Sequence, residues 1–199
     1  RANWHETSNQ VVRALRSAED RTWVWVAGDE WSKAHEWLQY NPESPWIEDP
    51  IGHTAYEAHL YFDRDGSGRY QLTFEEELRT DPNLLSRGSE RLDPFAQWCK
   101  RGGVPGVIGE FGVPWFERRW LPVLDRFLDQ AKQEKMTAVA WAGGDWWGEY
   151  PLSLQPRNDQ DVGPLAAILR AAPRQPLSGS LRVGAPAVQS AGSATFPGQ

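Results

Sequence analysis

Short runs of β-branched and aromatic residues alternate along this chain with amphipathic helical stretches, and that alternation restricts the possible folds more than anything else in it. Runs at 22–27, 55–62, 104–109 and 136–141 read as strands, and stretches at 3–19, 90–101, 120–133 and 163–171 read as helices. In 120–133, Leu121, Leu124, Phe127, Leu128 and Ala131 recur at helical spacing and form one apolar stripe. Gly102 and Gly103 stop the helix before the third strand. Strand and helix in repetition give parallel strands joined by right-handed crossovers, so the expected class is α/β. A closed (β/α)8 barrel has eight strands in about 250 residues. Four strands therefore make either an open sheet or half of a barrel.

The helical and strand pattern ends near residue 171. Residues 172–199 are mostly Ala, Pro, Gly, Ser and Gln and are expected to form a disordered tail or linker, leaving 1–171 as the folded domain. A net charge of −6 over 199 residues argues against nucleic acid or an anionic membrane as partner. No apolar run is long enough to span a bilayer, and residues 1–6 lack the apolar core of a signal peptide. Cys99 is the single cysteine, so no internal disulfide can form, and its helical setting beside Trp98 predicts an inert buried thiol. The loop Asp63-Arg64-Asp65-Gly66-Ser67-Gly68 mimics a calcium loop, but the twelfth position, where a bidentate carboxylate belongs, is Phe74. Calcium is therefore not expected in this loop.

Twelve tryptophans are the compositional outlier. Trp23, Trp25, Trp98 and Trp120 fall within strands and helices and are expected in the core. Trp31, Trp141, Trp146 and Trp147 fall at strand ends or in loops, where a flat apolar face can stack on a sugar ring. Gly106-Val107-Ile108-Gly109-Glu110-Phe111-Gly112 sets one carboxylate at the end of an apolar strand among glycines, the place where a barrel enzyme keeps a catalytic acid. His59 and Tyr61 close the preceding strand in the same way.

Four motifs in order, Gly28-Asp29-Glu30-Trp31, His59-Leu60-Tyr61-Phe62-Asp63, Ile108-Gly109-Glu110-Phe111-Gly112 and Trp141-Ala142-Gly143-Gly144-Asp145-Trp146-Trp147-Gly148, resemble the C-terminal half of a glycoside hydrolase family 5 endoglucanase. The resemblance covers most of 1–171. It implies a (β/α)8 TIM-barrel fold of which this chain holds strands five to eight. It also implies a secreted enzyme, monomeric at full length, that hydrolyses β-1,4-glucan with retention and needs no organic cofactor or catalytic metal. By motif position Glu110 resembles the nucleophile, with Tyr61 and His59 lining the site and Tyr61 contacting the nucleophile. Trp141 resembles the sugar platform of the eighth strand, and Trp31 reaches the cleft from the loop after the fifth.

The family's general acid/base belongs to an Asn-Glu pair, and no such pair occurs in the 199 residues. The isolated chain is therefore expected to be a fragment with little turnover. Two alternatives stay open: a non-catalytic β-glycan-binding protein, and a glycosidase acting on mannan, xyloglucan or mixed-linkage glucan.

Overall fold

In this computed structural model, which describes residues 3–172, the four strands form one sheet in which spatial order repeats chain order. They are β1 (Val24–Ala27), β2 (Thr54–His59), β3 (Gly106–Phe111) and β4 (Thr137–Ala140), every neighbouring pair parallel. A doubly wound sheet reverses strand order at a switch point. This sheet never does, so each crossover advances in the same direction, as in a (β/α)8 barrel. The expected tail, beyond residue 172, lies outside the described residues.

Helix α1 (Trp4–Ser17) precedes β1, and the short α2 (Trp37–Tyr40) follows it. Helices α3 (Phe74–Thr80) and α4 (Arg87–Gly102) lie between β2 and β3, α5 (Leu121–Gln133) between β3 and β4, and α6 (Gly163–Ala171) after β4. Helix α3 was not expected, although its capping box is legible: the Thr73 hydroxyl accepts from the Glu76 amide at 3.3 Å, and the Glu76 carboxylate accepts from the Thr73 amide at 2.8 Å.

The core lies between one face of the sheet and helices α4 and α5. Tyr56, Ala58 and Leu60 from the β2 segment, and Ile108 and Phe111 from β3, meet Leu92, Phe95, Trp98, Leu124 and Phe127 there. Trp37 joins them, its ring 4.6 Å from Phe95 and 5.1 Å from Trp98. Trp98 and Trp120 are buried as expected, and so is Cys99, whose thiol is pushed up to about 12 by burial. Trp23 and Trp25 are not: they are 52% and 45% exposed. Side chains alternate across a strand, and in β1 it is Val26 that is buried. Trp25 points to the opposite face, and Trp23 stacks on His53 at 5.0 Å. The expectation placed Trp23 and Trp25 in the core, whereas the helices cover the other face of β1.

Helix α1 is held by polar anchors more than by its apolar stripe. The Arg16 guanidinium grips Asp49 through two bonds of 2.9 and 3.0 Å, and Asn9 accepts from the Glu48 amide at 2.9 Å. Of its apolar residues Val12 is buried, while Val11 is 52% exposed.

Candidate active site

On β2, alternation sends Tyr56, Ala58 and Leu60 into the core and leaves Glu57, His59 and Tyr61 for the other face. Strict alternation on β3 would put Glu110 on the core side with Ile108. The pairing prevents this, because Ala58 faces Ile108 while the next residue, His59, faces Glu110. Gly109 is the extra residue of a bulge, which returns Phe111 to the core and turns Glu110 to the open face beside His59. The glycine leaves room for the Glu57 carboxylate: a Cβ on Gly109 would lie 1.7 Å from Glu57 Oε1.

The Tyr61 hydroxyl donates to Glu110 Oε2 at 2.9 Å. His59 Nδ1 lies 3.6 Å from the same oxygen, and its Nε2 lies 3.6 Å from Glu57 Oε1. The imidazole thus stands between two carboxylates. Tyr61 is 8% exposed, and burial, then the Glu110 charge and the hydrogen bond to it, hold its phenol well above the ordinary tyrosine range. It stays a proton donor at any working pH.

A cavity of about 440 Å³ opens over Glu110, walled by Trp31, Lys33, Asp65 and Arg69 as well as His59 and Tyr61. Trp31 stands 77% exposed on a turn in which Glu30, Trp31 and Ser32 all have φ between 50° and 57°. Three successive left-handed residues are strained, and Ser32 holds them: its hydroxyl accepts from the Gly28 amide at 2.7 Å and donates to the Glu57 carbonyl. Trp141 follows β4, its amide bonded to the Phe111 carbonyl at 2.8 Å, and its peptide bond to Ala142 is cis. Its ring meets Trp147 at 5.0 Å, and Trp147 meets Tyr150 at 5.0 Å. Burial and the nearby Glu110 charge oppose ionisation of the Tyr150 hydroxyl.

Glu110, Tyr61, His59 and Trp31 therefore meet in one cleft, whereas Trp141 and Trp147 pack on each other after β4 and are not among the residues that wall it. Trp146 is 92% exposed and outside that cluster. Sequence reasoning missed Glu57, Lys33, Arg69 and Tyr150. Glu57 carried a signal, since 57, 59 and 61 share a strand face; Tyr150 sits in an irregular loop and carried none. The calcium-like loop is self-contained: the Asp63 carboxylate accepts from the Gly68 and Tyr70 amides at 3.0 and 3.1 Å and from the Ser67 hydroxyl at 3.2 Å. Among the described residues no three His, Cys, Asp or Glu side chains are grouped to hold a metal ion.

The family model for cellulases, glycosyl hydrolase family 5, matches residues 1–147. Endo-beta-1,4-glucanase B of Emericella nidulans is 32% identical over 156 residues, 77% of this chain and 45% of that protein. The crystal structure of Pseudomonas stutzeri endoglucanase Cel5A in complex with cellobiose is 33% identical and superposes with a TM-score of 0.76, over 86% of this chain and 50% of that one. XacCel5A in complex with cellopentaose is 26% identical with a TM-score of 0.72 over 85% of this chain and 55% of that one. The chain thus spans about half the length of the relatives it matches.

Proposed function

Because this chain belongs to glycosyl hydrolase family 5, the cellulase family, we propose that it carries the nucleophile half of a retaining endo-β-1,4-glucanase. The observation behind this is the Tyr61–Glu110 hydrogen bond in a cleft that Trp31 also lines. Retention uses two carboxyl groups about 5 Å apart, one attacking the anomeric carbon while the other protonates the departing oxygen. Tyr61 occupies Glu110 Oε2, with His59 nearest the same atom, so Oε1 is the oxygen left to attack. The C–O bond to the leaving sugar breaks as the Oε1–carbon bond forms, and water later releases the glycosyl group. Trp31 in the cleft and Trp141 at the end of β4 offer flat apolar faces on which sugar rings stack.

Cellobiose and cellopentaose in the similar structures support a β-1,4-glucan as substrate. An insoluble polymer must be cut outside the cell, which supports secretion of the whole protein. Without an Asn-Glu pair, the 199-residue chain alone should release little reducing sugar from carboxymethylcellulose.

Glu110→Gln tests the reading in the full-length protein. It should abolish release of reducing sugar from carboxymethylcellulose while cellopentaose, titrated against tryptophan fluorescence, still binds. Undiminished turnover would remove Glu110 from the mechanism, and a substrate panel led by mannan or xyloglucan would change the assigned glycan.

A further inference from the structure

Tyr61 lies beyond the end of β2, where the ladder no longer fixes it: the last bond to β3 is from the Leu60 amide to the Glu110 carbonyl, at 2.9 Å. Something else must aim the phenol. The carbonyls of the four residues from 61 to 64 all accept from two guanidiniums of α4. Arg91 Nη1 donates to the Tyr61 carbonyl and, at 2.7 Å, to that of Asp63, while its Nη2 donates to that of Arg64 at 2.8 Å. Arg87 Nη1 takes the Phe62 carbonyl at 2.9 Å.

The two arginines differ in what else they hold. Arg87 also binds Glu77 at 2.7 Å and Asp81 at 2.9 Å, a structural ion cluster that joins α3 to α4. Arg91 directs its hydrogen bonds to the main chain of the segment that carries Tyr61. Successive carbonyls in extended chain point in alternating directions. Three of them converge on one guanidinium only if the chain bends around it, so Arg91 dictates the bend. The planar fork can serve three acceptors in fixed directions, which a lysine ammonium cannot reproduce. On the other side of the ring Gly68 closes the packing, since a Cβ there would lie 2.8 Å from the Tyr61 ring.

We propose that Arg91 is a positioning residue for the reaction: by gathering the carbonyls of Tyr61, Asp63 and Arg64 it aims the Tyr61 hydroxyl at Glu110 Oε2. Its catalytic meaning rests on Glu110 being the nucleophile, but the test uses no sugar, so failure of one reading is distinguishable from failure of the other.

The experiment is hydroxyl hydrogen exchange in the 199-residue chain labelled with [13Cζ]tyrosine, read from the deuterium isotope shift, with Tyr61 assigned through Tyr61→Phe. Arg91→Met keeps the stem and removes the donors. Loss of the aiming bonds should accelerate Tyr61 hydroxyl exchange about tenfold, the equivalent of one hydrogen bond. Tyr56, buried at 1% exposure in the aromatic core, reports global opening and should keep its wild-type rate. Arg91→Lys should fall between wild type and Arg91→Met, and it provides the same reading should Arg91→Met fail to fold. An unchanged Tyr61 rate in the variants, or equal acceleration at Tyr56 and Tyr61, would overturn the proposal, the second outcome reducing Arg91 to a general stabiliser.

Discussion

His35 lies beneath Gly66 at the rim of the cleft, with its Nδ1 buried and without a hydrogen-bond partner and its Nε2 3.5 Å from Glu36. Burial, and then the charge of Arg91, lower its pKa from 6.5 to about 4. Between those values the unfolded chain binds a proton that the folded chain does not, so stability rises with pH across that window and falls as pH drops from 6.5 towards 4. Urea midpoints at pH 7 and pH 5 should therefore differ more for wild type than for His35→Phe; equal differences would show that His35 carries none of this dependence. Nothing in the sequence marked this histidine, because its shift comes from a loop folded over it and an arginine from α4. Glu110 was legible for the opposite reason. Its flanking glycines and apolar strand are local, and local chemistry is written in residue order.

Between β3 and β4 the decisive contact is main chain against main chain. A Cβ on Gly112 would lie 2.5 Å from the Trp141 carbonyl, and no side-chain rotation relieves a clash with backbone. Gly112→Ala should cost about 1–3 kcal/mol in a urea titration by forcing the strands apart. Gly109→Ala should cost less, since the Glu57 carboxylate that blocks it can swing away. Equal costs would mean that the bulge at Gly109 is as rigid as the strand pair. The bulge also marks where element-level reading stopped. The strands were visible as apolar runs, but the period-2 rule applied to β3 sends Glu110 into the core, and only the pairing with β2 shows the residue that breaks the rule. Helix α3 could have been read from its Thr73–Glu76 box; it is short and lacks a strong apolar stripe, so periodicity passed over it.

At the scale of the molecule, the sheet has one covered and one open face. Trp25 and Val139, 45% and 40% exposed, lie on the open face, and among the described residues the outer edges of β1 and β4 pair with no further strand, although the Trp4 indole donates to the Ala27 carbonyl at 2.6 Å. Bare edges beside exposed aromatics favour association. The 199-residue chain should sediment as a concentration-dependent mixture, and Trp25→Lys should shift it towards monomer; one monomeric species at every concentration would show the face to be harmless. This open face also explains the misplacement of Trp23 and Trp25, because composition cannot say which side of a strand the helices cover. By itself the sequence determined the alternation of strands and helices, the parallel class, and a carboxylate, imidazole and phenol at strand ends, since each follows from residues close together in the chain. Tertiary structure alone decided that Glu110 turns away from the core and that Arg91 stands behind Tyr61. Those depend on register and on side chains meeting across tens of residues, where the physical constraint is packing in space rather than order along the chain.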